Sequence, residues 1–291
     1  MAERKASRTA VLVCQGRAVA DGRLAVGRFA DPVAIELLTA AEQEPVGRVR
    51  SGVRPKPFGE RMEYELLTGT TEVLVVRTVA IDDAVRERGN PQLVILGAGL
   101  DARAWRMAEL AEVDVFEVDQ PASQQEKRER LGERTALAAS VRFVPVDFAR
   151  DSLGAALAEA GHDETRPTTW IWEGVVPYLT PEQVEATVEM VGKHSAPGSR
   201  LILTYPVPSR VYSIGRKTVQ VLLNLAGRNN PMAGEPNRSS WPPERMRKLL
   251  GARGFDVTTD VDQLSIARGL DLAIERDSFL ASSRVTVADR Q

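Results

Sequence analysis

The chain has 291 residues, with 38 Lys and Arg against 40 Asp and Glu and a formal charge of -2. That balance speaks against a general nucleic-acid binder, whose footprint is basic, and the single cysteine, Cys14, excludes an internal disulfide or a cysteine-cluster metal site. The two histidines, His162 and His194, lie far apart without metal-ligand spacing, so no metal is expected.

Met1–Arg8 is polar and basic, and the apolar stretch after it is broken by Gln15, Arg17 and Asp21, which fails the pattern of a secretory signal. No window approaches about 18 uninterrupted apolar residues, so a cytoplasmic protein that neither crosses nor binds a membrane is expected. Apolar residues at three-and-four spacing predict helices over Ala10–Ala20 and Pro32–Ala41, the second with Asp31 as N-cap and Pro32 at its first position. Residues 46–59, VGRVRSGVRPKPFG, carry Arg48, Arg50, Arg54 and Lys56 with no acid. They read either as a solvated loop or as a basic lid over an anionic ligand. Arg61–Arg88 reads as helix, ended by Gly89-Asn90-Pro91.

From Gln92 the texture changes. Strand-like apolar runs at Leu93–Leu96, Val113–Val118, Val141–Val146, Thr169–Trp172 and Arg200–Thr204 alternate with helical stretches at Arg103–Glu109, Pro121–Ala138, Ser152–Ala160 and Pro181–His194. This alternation predicts an α/β fold, a Rossmann-like doubly wound, mostly parallel sheet. Residues 206–240, rich in proline, read as an insertion after the fifth strand. A helix at Glu244–Ala252 and strands at Phe255–Thr259 and Phe279–Val285 then complete seven strands. The organisation expected is an N-terminal helical cap over 1–90 and a core over 91–291.

The informative stretch is LVILGAGLDARAWR, residues 93–106. A buried strand runs into Gly97-Ala98-Gly99, where glycine lets the backbone turn sharply and approach a ligand. Asp119 ends the second strand, where an acid takes the hydroxyls of an adenosine ribose. That feature serves NAD and S-adenosylmethionine alike. Asp147, followed by Phe148, ends the third strand, suited to an adenine amino group and ring, and Glu173 ends the fourth. One acid at a strand end can be a helix cap; three at successive strand ends point to a ligand site.

VVRTVAIDD (75–83), LGAGLDARAWR (96–106), FEVDQP (116–121), PVDF (145–148) and WEGVVPYLTPEQ (172–183), with GRFADPVA (27–34), resemble the leucine carboxyl methyltransferase family of class I S-adenosylmethionine-dependent methyltransferases. That family includes small-molecule carboxyl methyltransferases of polyketide pathways. The resemblance implies S-adenosyl-L-methionine as cofactor. Arg77 would grip its methionine carboxylate, with Gly97, Ala98 and Gly99 passing its amino-acid end. Asp119 and Gln120 would lie at the ribose, Asp147 and Phe148 at adenine, and Glu173 near the ammonium. Tyr178 falls where the family places a tyrosine close to the transferred methyl, although a tyrosine before Leu-Thr-Pro also serves as core.

A carboxylate acceptor is ionised at neutral pH and needs no base, whereas a phenol or alcohol wants one, usually histidine. His162 reads as part of a polar loop and His194 as a helix-end cation, so the sequence leans to O-methylation of a small-molecule carboxylate. Arg17, Arg23, Arg28 and the lid arginines are candidates to position that acceptor. The insertion, with Tyr205, Tyr212 and Trp241 at its edges, is expected to complete the pocket. The rivals are an NAD-dependent oxidoreductase on the same sheet, for which no YxxxK is present, and a cofactor-binding protein without turnover.

Overall fold

A computed structural model describes residues 8–147, 150–209, 238–272 and 277–291. Seven strands form one sheet in the order β3-β2-β1-β4-β5-β7-β6. They are β1 (Gln92–Leu96), β2 (Asp114–Asp119), β3 (Ser140–Pro145), β4 (Thr168–Trp172), β5 (Arg200–Pro206), β6 (Phe255–Asp262) and β7 (Ser283–Arg290). β1 to β5 pair in parallel, while β7 runs antiparallel to both β5 and β6. This is the doubly wound, Rossmann-like sheet that the alternation predicts. The strand order reverses between β1 and β4, and a ligand crevice opens outside the carboxyl ends of the strands at such a point.

The central strands are buried on both faces, which is why they read as unbroken apolar runs. On one face Leu93, Ile95, Val115, Ile171 and Ile202 join a core with helices α1 (Arg8–Ala20), α2 (Ala40–Ser51) and α3 (Phe58–Arg88). On the other, Val94, Phe116, Trp170, Trp172 and Leu203 pack with α6 (Leu153–Glu159), α7 (Pro181–Lys193) and α8 (Pro243–Gly251). The remaining α-helices among the described residues are α4 (Arg103–Arg106), α5 (Pro121–Leu131), α9 (Gln263–Gly269) and α10 (Asp277–Leu280). α3 ends at Gly89, whose φ of 59° lets its N–H turn back onto the Val85 carbonyl. No helix among the described residues is long and apolar enough to cross a membrane.

Three local expectations are corrected. The segment from Asp31 forms turns rather than a helix. Asp31 Oδ1 does accept the Ala34 N–H at 3.0 Å, but the helix begins at Ala40, where Glu42 Oε2 accepts the Thr39 N–H at 2.8 Å. The basic stretch 46–59 is a loop only in part: Arg48 and Arg50 sit in the last turn of α2, where cations suit the helix dipole, while residues 52–57, with Arg54 and Lys56, form the exposed loop. Phe279 lies in α10, and the last strand starts only at Ser283. Of the expected insertion 206–240, residues 210–237, Tyr212 among them, lie outside the described set.

Candidate active site

The glycine turn leaves β1 at the switch point. Gly97 and Ala98 donate their N–H groups to the Val118 carbonyl at 2.8 and 3.0 Å, which ties the turn to the end of β2. Gly97 has φ 72°, and a Cβ there would come within 2.6 Å of Val175 Cγ2, so the position admits only glycine. The Gly99 N–H donates to Asp119 Oδ2 and the Gln120 N–H to Oδ1, both at 2.6 Å. Burial pushes the Asp119 carboxyl up from its ordinary range, against the pull of these two donors.

A cleft of about 900 Å³ opens above this turn. Arg77, Gly97, Ala98, Gly99, Asp119, Gln120, Asp147, Glu173 and Tyr178 all line it. The structure therefore brings together Tyr178 and every cofactor-site residue expected from sequence that falls in the described set; Phe148 lies outside it. α1 supplies the wall facing the turn with Thr9, Val13 and Arg17, one helical face at spacing four. Across the cleft, the Thr180 N–H donates to Gln183 Oε1 at 2.9 Å, and this capping box starts α7 and fixes Gln183 in the lining.

Beneath the cleft runs a buried chain of charges alternating in sign. Arg17 pairs with Asp31 at 3.0 Å, and Asp31 with Arg106 at 3.5 Å. Arg106 and Arg103 each reach Asp82 at 2.7 Å, and Arg103 also holds Asp101. Arg103 Nη1 then lies 3.0 Å from Glu173 Oε2, and Arg77 Nε donates to Glu173 Oε1 at 2.7 Å. Four arginines meet four carboxylates, which is how so many charges stay buried without leaving one uncompensated. Burial alone would raise the Glu173 carboxyl, but Arg77 and Arg103 outweigh it and hold it down to about 2.

A second cavity, about 200 Å³, adjoins the cleft and shares Thr9, Val13, Arg77, Gly174 and Tyr178 with it. Tyr178 stands on the short 3₁₀ turn Val176–Tyr178 and so faces both spaces. α3 lines the second cavity with Leu66, Gly69, Thr70, Val73, Leu74 and Arg77, spacings that share one helical face. Among the described lining residues of this cavity, Arg77 carries the charge.

The histidines lie elsewhere. His162 is not in a solvated loop as expected; it is buried edge-on against Phe116 and Trp170, with Nε2 3.0 Å from Thr168 Oγ1. It sits at the amino end of β4, opposite the cleft, and burial drives its pKa down to about 4. His194 follows α7 and meets Glu164 at 2.9 Å through Nδ1.

Most of the arginines expected to reach an acceptor are also committed away from both cavities. Arg28 pairs with Asp83, Arg54 with Glu65, and Arg48 with Glu44 and Glu60. Arg23 donates to the Arg50 carbonyl and Arg50 to the Ala18 carbonyl. Arg17 lines the cleft, but its guanidinium holds Asp31 and the Leu100 carbonyl. Sequence reasoning missed Asp82, Asp101, Arg103 and Arg106. The D-x-R-x-x-R spacing from Asp101 to Arg106 was the available signal, since it stacks charges of opposite sign within two turns of chain.

The sequence profile of the leucine carboxyl methyltransferase family matches residues 10–192. A protein of Mycobacterium avium (strain 104), whose name assigns it to the S-adenosyl-L-methionine-dependent methyltransferases, is 35% identical over 276 residues, 87% of each chain. A Frankia alni protein of the same naming is 37% identical over 200 residues, 67% of each chain. Among solved structures, a DUF574 family protein of Streptomyces avermitilis superposes with a TM-score of 0.60 at 14% identity, covering 98% of each chain. A Thermobifida fusca protein named as a methyltransferase reaches 0.53 at 17% identity, over 94% of this chain and 97% of that one. At these identities the two structures speak for the fold alone.

Proposed function

The chain belongs to the leucine carboxyl methyltransferase family and is an S-adenosyl-L-methionine-dependent methyltransferase, and from that premise we propose that it O-methylates the carboxylate of a small molecule. The observation that carries this reading is the second cavity: at the Tyr178 junction its described wall offers neutral and apolar groups and one guanidinium, Arg77. An alcohol or phenol placed there would meet no imidazole among those residues, and the carboxylate beside the junction, Glu173, is a poor base because Arg77 and Arg103 hold it down to about 2. A carboxylate needs none, being ionised already.

The cleft fits the cofactor in its donor set. Asp119 would take the ribose hydroxyls, with Gln120 beside it, and Asp147 and Phe148 would serve adenine. The glycine turn at Gly97, Ala98 and Gly99 would let the amino-acid end pass. Glu173 would face the ammonium, and Arg77 the methionine carboxylate, since a guanidinium suits a carboxylate through its paired N–H groups. Arg77 spends Nε on Glu173, and its terminal nitrogens lie against Gly174, where a Cβ would come within 3.4 Å of Nη2. Bound there, the cofactor supplies a methyl group already activated by a sulfonium. What this chain adds is alignment: Tyr178 would hold the acceptor oxygen in line, and α1 and α3 would keep water from the junction. Positioning of that kind contributes up to about 7–11 kcal/mol in favourable cases.

The test is transfer of labelled methyl from S-adenosyl-L-methionine into a panel of carboxylic acids, phenols and amines. Alkali-labile ester from the acids supports the reading; label that survives alkali removes the carboxylate. Binding of NAD with no affinity for S-adenosyl-L-methionine would overturn the cofactor assignment as well.

A further inference from the structure

The second cavity also restricts which carboxylate fits. Several of its polar wall groups are already engaged: Thr204 Oγ1 accepts the Gly174 N–H at 2.8 Å, and the Tyr205 hydroxyl donates to Asp260 at 2.9 Å. Ser283 Oγ accepts from Gln263 at 3.1 Å. Tyr205 therefore turns its hydroxyl away and leaves its ring in the wall. Leu12, Leu66, Val73, Leu74 and Pro206 supply apolar surface, and Thr9 and Thr70 add neutral hydroxyls but no charge. Among the described residues, charge enters at one end, through Arg77 at the junction with the cleft. A second charge placed deeper would be stripped of water with no partner among these residues. A dry apolar cavity of about 150 Å³ holds benzene, so about 200 Å³ suits a ring with a short link.

Building on the carboxylate reading, we propose that the acceptor is a monocarboxylic acid with an uncharged apolar tail, an aryl or short branched alkyl group. The tail lies against α3, and Gly69 and Val73 set its bulk. The carboxylate stays at the Tyr178 junction, and the tail extends between α1, α3 and β5. Gly69 is buried on the α3 face that lines the cavity, so a side chain grown from it would project into the space the tail takes.

The experiment measures kcat/KM with S-adenosyl-L-methionine for phenylacetic acid and for its 4-carboxy derivative, in the native chain and in Gly69→Leu and Val73→Phe. The native chain is expected to prefer phenylacetic acid by ten-fold or more, and either variant to lose about ten-fold on it or more. The cofactor dissociation constant, unchanged in at least one variant, shows that the fold survives. Ester formation that ignores tail charge and both variants overturns the inference while leaving the carboxylate reading intact. No ester from any acid, with methyl transfer to phenols or amines instead, overturns both.

Discussion

Arg77 Nε donates to Glu173 Oε1 across 2.7 Å although the two residues are 96 positions apart, one on α3 and one at the end of β4. The pair joins the helical layer to the sheet at the point where the two cavities meet. Glu173 is also held by Arg103, and its side chain is 9% exposed. Removing one member of such a pair strands the other charge.

Glu173→Gln is expected to destabilise the protein by about 3–5 kcal/mol, seen as a fall in thermal midpoint of about 10 °C. The sign with pH follows from the depressed carboxyl. The stabilisation is complete above the ordinary carboxyl pKa near 4.5 and fades as pH falls through about 2. Denaturation midpoints from pH 6 to pH 2 should converge for native chain and variant at the acid end. A constant gap would show that Glu173 does not titrate this way.

Asp119→Asn keeps the size of the side chain but removes its charge and one of the two oxygens that accept from the Gly99 and Gln120 N–H groups. The dissociation constant for S-adenosyl-L-methionine is expected to rise about ten- to hundred-fold, as for a lost hydrogen bond to a charged group. Calorimetric titration reads it directly. Unchanged affinity would take the ribose role from Asp119.

Tyr178→Phe is expected to slow turnover about ten-fold or more, because a small misplacement of reacting groups is costly, while cofactor affinity stays as it is. Single-turnover rates beside equilibrium binding separate the two. Full activity would assign Tyr178 to packing alone.

His162 gives a second pH signature, from the far end of the sheet. A group whose folded pKa is lowered stabilises the fold above its unfolded pKa of about 6.5. The contribution is lost as pH falls toward about 4. The native chain should lose a few kcal/mol over that window relative to His162→Gln, measured as the difference in urea midpoints. The difference is the proper readout, because burial raises Glu117 to about 7 and gives the opposite slope in both proteins. Parallel curves would refute the buried imidazole.

Much of the architecture was legible because its causes are local. The first four strands are apolar runs closed by a glycine or an acid, and the first five lie within a residue or two of where the sequence puts them. α7 starts at the Thr-Pro-Glu-Gln cap. The cleft was legible for the same reason, since its acids close successive strands. The segment at Pro32 misled because one face of spaced apolar residues also suits consecutive turns, and the stronger cap lies at Thr39. Of the second cavity the sequence pointed to Tyr205 at the edge of the expected insertion, but not to its walls from α1 and α3. Leu12, Val73 and Tyr205 become neighbours only when α1, α3 and β5 meet, and no spacing in the chain announces that.

The alternating charges from Arg17 to Arg77 bear on how this protein can change over generations. A neutral replacement at Asp82 takes a shared partner from Arg103 and Arg106 and leaves four arginines to three carboxylates, although Arg103 keeps Asp101 and Glu173 and Arg106 keeps Asp31. The same replacement alongside a neutral residue at Arg106 restores the balance. Double-mutant cycles across such contacts should be strongly non-additive. Lineages then cross this part of sequence space by compensated double steps, and single-step drift stalls there even though the positions lie beneath the ligand cleft.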